Sequence, residues 1–216
     1  MKSIVGALLF YGRAVGNKLL VALGELGQQQ ASATEATNDS ITQLLDYVAT
    51  YPSDDITCRA SGMVLSAHLD AAYLNVTKAC SRAGAHVMLS EDFPAPAYNV
   101  PVLTVVQIIK KVMSSSAEAE LAGLFICAKE MFPMRQSLTE MGWPQPKSSI
   151  QCEKSTAVGV SNVTIIPRKT KSVDMQLHWL LCRDSQNQFR YFWAPGALNL
   201  GNYSTKNHPH IYHLSQ

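Results

Sequence analysis

The stretch GMVLSAHLDAAYL, residues 62–74, decides how the chain is read. From Met63 it alternates: Met63, Leu65, Ala67 and Leu69 fall on one face, Val64, Ser66, His68 and Asp70 on the other, the period-2 pattern of a β-strand. Two further runs follow. SRAGAHVMLS (81–90) is a second strand, and VPVLTVVQIIKKVM (100–113), rich in β-branched residues, is a third. The proline-rich EDFPAPAYN (91–99) between them is a turn or loop.

Working outward, residues 3–50 read as helical. Val5, Leu8, Leu9 and Tyr11 form one partial apolar stripe, and Ile41, Leu44, Leu45, Tyr47 and Val48 another. The polar QQQASATEATNDS between them reads as a turn, with Asp39 or Ser40 as N-cap of the second helix. Tyr51-Pro52-Ser53 ends that helix, because a residue before proline resists the helical region. Downstream, SSSAEAELAGLFICAKEMF (114–132) is a helix, with Ser115 and Glu118 at capping-box spacing. Leu121, Leu124, Phe125, Ala128, Met131 and Phe132 line its apolar face. Pro133 is expected to kink or end the first part of it, with MRQSLTEMGW extending helix toward Gly142. SSIQCE reads as a short strand, KSTAVGVSN as a short helix and KSVDMQLHWLLCRDS as another helix. QFRYFWA reads as a strand, and LGNYSTKN, after Pro195-Gly196, as a last short helix. From residue 56 the order is β-β-β-α-β-α-α-β-α.

The 216 residues, 47% apolar and 16% charged, suffice for a sizeable core and exclude global disorder. A formal charge of +2 points to no nucleic-acid partner by itself, so any basic footprint is local, as in Arg168-Lys169-Thr170-Lys171 ahead of His178. The five cysteines form no C-x-x-C pair and have no zinc-ligand spacing, and read as thiols of a reducing compartment. MKSIVGALLFYG imitates a secretory signal, but the apolar run breaks at Gly12-Arg13 with no small-x-small site following, and it is too short to span a bilayer. The expectation is an amphipathic helix of an intracellular protein, in cytoplasm or nucleus, with no membrane contact. The Asn-x-Ser/Thr sequons at Asn38, Asn75, Asn162 and Asn202 carry weight only in a secreted chain.

Acids are the numerous chemical candidates: Asp70, Glu118, Glu120, Glu153 and Asp174. At about 100° per residue, Glu118 and Glu120 lie about 80° to either side of the helix's apolar stripe, so periodicity does not choose between them. There is no G-x-S-x-G elbow, Walker loop, post-strand G-x-G-x-x-G or H-E-x-x-H.

Five stretches in order resemble motifs of the ribonuclease H region of copia-type retrotransposon polyproteins. HLDAAYL resembles its strand motif with a Ser-Asp-Ala core, and SSSAEAELAGL its S-S-x-E-A-E-[LY] helix start. IQCEKSTA resembles its strand-to-helix motif with central Asp-Asn, RKTKSVDMQLHWL its R-[ST]-K-x-[IM]-D-[IM]-R-x-H helix, and NLGNYSTKNH its terminal N-[LQ]-A-D-x-[FL]-T-K. Residues 1–53 resemble the helical segment joining reverse transcriptase to ribonuclease H, leaving 54–216 as the ribonuclease H-like domain.

The resemblance implies an α/β fold: a mixed five-stranded sheet, three antiparallel strands then two parallel, flanked by helices and carrying an N-terminal helical extension. It implies hydrolysis of the RNA strand of an RNA–DNA hybrid by two divalent ions, Mg²⁺ or Mn²⁺, held by carboxylates. Asp70 matches the strand aspartate and Glu120 the helix glutamate. Glu153 stands where the family has Asp, and Asn202 where it has its last Asp. The longer Glu153 moves its carboxylate by about 1.4 Å, and misplacement of about 1 Å can lower a rate ~100-fold. Asn202 removes a full negative charge. Leu69, Gln176 and Gly201 depart from the usual Ser, Arg and Ala. The expected function is therefore a ribonuclease H-type endonuclease with weakened or absent hydrolysis. The alternative is a catalytically dead module that binds nucleic acid or a protein partner. Arg168, Lys169, Lys171, His178 and Lys206 would contact a hybrid or double-stranded RNA, and the helices of residues 1–53 offer a surface for self-association or a partner.

Overall fold

Alternation of side chains, repeated in five segments, builds one sheet. The computed structural model describes residues 2–53, 55–76, 79–94, 98–155, 159, 174–206 and 208. The strands are β1 (Val64–Val76), β2 (Cys80–Ser90), β3 (Pro101–Ile109), β4 (Ser148–Cys152) and β5 (Phe189–Trp193), in spatial order β3-β2-β1-β4-β5. β1 and β2 pair antiparallel, with His68 opposite His86 and Asp70 opposite Gly84, and β3 continues antiparallel on β2. β4 runs parallel to β1, ending with Leu69 opposite Cys152, and β5 runs parallel to β4. This is the expected three-plus-two arrangement. KSTAVGVSN and the Arg168-Lys169-Thr170-Lys171 cluster lie almost wholly or wholly outside the described residues.

The face of β1 carrying Leu65, Ala67 and Leu69 packs into a core with Leu121, Leu124, Cys127 and Ala128 of the long helix Ser116–Glu140. Gly123 faces the sheet, where a Cβ would make ordinary contacts with Leu69, Ala71 and Ala83 at 3.4–3.5 Å. The other face is not solvent. Ser66, His68 and Asp70 are also buried, so β1 is sandwiched on both sides as a central strand is.

Two helix signals resolve differently from expectation. The helix continues through Pro133, because both Pro133 and Lys129, whose carbonyl loses its usual donor, are exposed to water. Ser115 caps the helix by accepting from the Glu118 N–H at 3.2 Å, but the Glu118 carboxylate reaches back to the Ser114 N–H at 2.8 Å rather than closing the box on Ser115.

The chain divides into two compact units, one running to Thr57 and the other spanning Cys58–Lys206. The first holds three helices, α1 (Lys2–Ala14), α2 (Leu20–Gln29) and α3 (Glu35–Thr50); the long helix is α4 and Asp174–Ser185 is α5. Val5, Leu19, Leu23, Leu26, Ile41 and Leu44 make its core, while Phe10 (81%) and Leu45 (40%) stay exposed. α3 starts well before Asp39: Thr34 is its N-cap, accepting from the Thr37 N–H, while the Thr37 hydroxyl accepts from the Thr34 N–H at 3.1 Å. A threonine thus does the work usually given to glutamate, which hides the start in a stretch that reads as a turn. Among the described residues no helix is long and apolar enough to cross a membrane.

Arg135 fixes where β4 begins. Buried on α4, it donates to the Ser148 hydroxyl and to the carbonyls of Gln145 and Pro146, with its guanidinium 5.5 Å from the centroid of Phe189. Arg135→Ala is expected to lower stability by about 2 kcal/mol, because the buried Ser148 hydroxyl loses its donor and the ring its cation. Arg135→Lys should recover less than half, lacking the planar fork. Urea denaturation of the two variants checks this.

Candidate active site

Glu120 is the best-defined member of the site. Its side chain is fully buried, and its two carboxylate oxygens accept the backbone N–H groups of Ala71 (2.9 Å) and Glu153 (3.0 Å). Those amides lie just past the last β1–β4 pair, Leu69 opposite Cys152, so the carboxylate bridges the parallel strands where their own ladder stops. Glu118, on the same helix turn, is used for capping, so the structure separates two residues that periodicity leaves equivalent. Burial, then the neighbouring Asp70, push the Glu120 carboxyl up to about 7 against the pull of the two amides.

Asp70 and Glu153 meet beside it. Their side chains are hydrogen-bonded to each other, and the Glu153 carboxyl is raised by desolvation and by Asp70, with Lys206 and Lys154 drawing it down. The additional methylene of Glu153 is accommodated against Gly196, where a Cβ would overlap its carboxylate. Trp193, at the end of β5, donates from its indole to the Glu153 carbonyl at 2.8 Å.

The 3₁₀ turn Leu200–Ser204 closes the site over β1. Asn199, buried ahead of it, donates to the Leu69 carbonyl at 2.6 Å and accepts from the Gly201 N–H at 2.9 Å. The Leu200 N–H reaches His68 Nδ1 at 3.3 Å, which puts the proton of the neutral ring on Nε2. The Thr205 hydroxyl donates to Asp70 Oδ2, and Asn75 Nδ2 to the Thr205 carbonyl at 2.7 Å. Gly201 is compulsory here: a Cβ would stand 2.8–2.9 Å from backbone atoms of His68, Leu69 and Asp70, which cannot yield. A Cβ at Gly84, opposite Asp70, would stand 2.7 Å from Thr205 Cγ2 and 2.8 Å from Ser204 Cβ.

Asn202 sits on that turn, half-buried. Its Nδ2 donates to the Gly196 carbonyl and its Oδ1 accepts from Lys206 Nζ, both at 2.7 Å. Asp70, Glu120 and Glu153 therefore gather where the β1–β4 ladder stops, with Asn202 on the turn above. His178 is exposed on α5 and Lys206 is exposed at the site, while Arg168, Lys169 and Lys171 lie outside the described residues. Asn199, Thr205 and Gly84 were not singled out in the sequence. The first two lie inside the terminal NLGNYSTKNH motif, which was their available signal; Gly84 had none.

Two divalent ions need oxygens free to face them. Here Glu120 spends both on backbone amides, Asp70 accepts a hydroxyl, Glu153 and Asp70 bond to each other, and the Asn202 oxygen holds an ammonium. Among the described residues no group of three or more His, Cys, Asp or Glu side chains stands ready to hold a metal ion. The four residues as arranged do not fit a two-ion centre.

No family model matches the chain. Among curated proteins, a retrovirus-related Pol polyprotein from transposon TNT 1-94 of Nicotiana tabacum is 30% identical over 71 residues, 33% of this chain. The chain spans 5% of the length of that relative. Among solved structures, LC11-RNase H1, isolated from compost by a metagenomic approach, covers 66% of this chain and 92% of its own length, with a TM-score of 0.50 at 8% identity. The N-terminal RNase H domain of Rv2228c from Mycobacterium tuberculosis aligns with 66% of this chain and 94% of its own, at 13% identity and a TM-score of 0.44. The fold is ribonuclease H-like, and the resemblance to a retrotransposon polyprotein is borne out.

His68 and Glu120 give opposed pH dependences. Burial, then His86, hold the His68 ring down at about 4 against 6.5 in the unfolded chain. Between those values the unfolded chain takes up a proton that the folded one refuses, so stability falls by about 3 kcal/mol as pH drops. Glu120, about 7 folded and 4.5 unfolded, keeps a proton that the unfolded chain lacks, so stability falls by about 3 kcal/mol as pH rises. His86, lowered by burial, adds to the first slope, and Glu153 to the second. The urea midpoint should be nearly flat from pH 4.5 to 6.5, and His68→Gln should tilt it downward with rising pH. In the same assay Gly201→Ala should lower stability by about 2 kcal/mol through overpacking against β1.

Proposed function

We propose that the chain is a ribonuclease H module from a retrotransposon-derived polyprotein that grips the RNA–DNA hybrid and has weakened or lost the power to cut it. The observation carrying this reading is Asn202, whose amide bridges Gly196 and Lys206 at the position matching the family's last aspartate. Glu153 supports it: its carboxylate turns toward Asp70 and Gly196 instead of standing one methylene shorter and free. A pair of divalent ions at these four positions would supply Lewis-acid activation of a water and charge stabilisation at the leaving oxygen. This chain's oxygens are committed elsewhere.

Binding does not need them. An A-like minor groove is wide and shallow and is gripped through phosphates and 2′-hydroxyls by a small basic patch. By the motifs the chain resembles, Arg168, Lys169, Lys171 and His178 would make those contacts, with Lys206 exposed beside the acidic cluster. Phe10, 81% exposed on α1, favours a second reading in which the N-terminal helices bind a protein partner or another copy. Concentration-independent monomer behaviour in size-exclusion chromatography would exclude self-association.

The test is cleavage of a labelled RNA–DNA hybrid in Mg²⁺ and in Mn²⁺. The natural chain should cut at least ~100-fold more slowly than Glu153→Asp/Asn202→Asp, and Asp70→Asn in that background should abolish cutting. Comparable cutting by the natural chain sinks the proposal. Hybrid retention in EDTA across a salt series should persist, and changing Arg168, Lys169 and Lys171 together to alanine should flatten the log–log slope by about 3.

A further inference from the structure

The acidic cluster already has a cation of its own. Asn202 cannot present its amide the other way round, because the Gly196 carbonyl at 2.7 Å requires a donor and so fixes Nδ2 on that side. Oδ1 is thereby turned outward, and Lys206 Nζ lies 2.7 Å from it. The same ammonium is near enough to Glu153 to act on its carboxyl, which Asp70 in turn contacts. One positive charge thus serves two of the four residues that match the family's ligand positions, Asn202 and Glu153.

We propose that the Lys206 ammonium is the resident cation of this site, held on Asn202 Oδ1 beside the acidic cluster and keeping divalent metal out of the natural chain. The inference deepens the reading of an impaired ribonuclease H site and rests on it. The physical reason is a competition. A hard dication gains most from anionic oxygens, and an amide at 202 offers it a neutral one, whereas an ammonium is satisfied by either. The ammonium is also tethered four residues away, so its local concentration is high and it loses little freedom on binding. The terminal lysine is part of the motif the chain resembles; what differs here is that Asn202 no longer carries a charge able to favour a dication over it. Without Lys206, the carboxylates of Asp70, Glu120 and Glu153 keep only Lys154 as a neighbouring positive charge, and a divalent ion is the obvious replacement.

Mn²⁺ binding, read from the electron paramagnetic resonance signal of the free ion, tests this on the intact chain. Lys206→Ala and the near-isosteric Lys206→Met should both bind Mn²⁺ about tenfold or more tightly than the natural chain. Asp70→Asn added to Lys206→Ala should return the affinity to the natural value. Lys206 is exposed, so both variants should melt at temperatures close to the natural chain's in metal-free buffer. Unchanged Mn²⁺ affinity in both variants, or a tightening that survives Asp70→Asn, would overturn the proposal. Hybrid retention by the natural chain in EDTA is independent of this titration; its loss would remove the hybrid-binding reading while leaving the Mn²⁺ result to stand or fall by itself.

Discussion

The carboxylate of Glu120, out of reach of water and held between the amides of Ala71 and Glu153, is the interaction on which the rest of the molecule depends. Two parallel strands that diverge leave N–H groups without partners, and a buried orphan amide costs on the order of 1–3 kcal/mol. Glu120 satisfies one on each strand with a single side chain. It therefore ties α4 to β1 and β4 and sets the spacing of the cleft in which Asp70 and Glu153 stand. Its two hydrogen bonds belong to the fold; Glu153 and Asn202 lie half-buried at the rim.

The second constraint is the terminal segment. Asn199, Gly201 and Thr205 reach β1 across a sequence distance of about 130 residues (130 for Asn199 to Leu69, 135 for Thr205 to Asp70), and they bury the polar face that alternation assigned to His68 and Asp70. The polar face of β1 is thus a second interior, built from hydrogen bonds rather than packing. Because its lid comes from the far end of the chain, the site exists only once the whole unit has folded.

Most of the sheet was legible in the sequence because period-2 alternation and β-branched runs act locally. β1, β2 and β3 lie where their runs are, and Glu153 follows β4 as IQCE indicates. What stayed illegible depended on partners distant in sequence or on unusual chemistry. Thr37 closing a capping box disguised the start of α3, and water at an exposed carbonyl let α4 pass through Pro133. Glu118 and Glu120 were indistinguishable by angle because the difference between them is made by the amides of β1 and β4, which periodicity does not see. Gly84 and Gly201 read as ordinary small residues until the turn and strand are brought together.

Gly196 leaves the space into which the longer acid at 153 reaches. A Cβ there would overlap the Glu153 carboxylate as it lies here, so a larger residue at 196 obliges that flexible side chain to swing aside and give up its present place beside Asp70. The size of one residue and the reach of another on a different element are therefore a single variable, and the orientation of the acid can be set from a position that carries no charge.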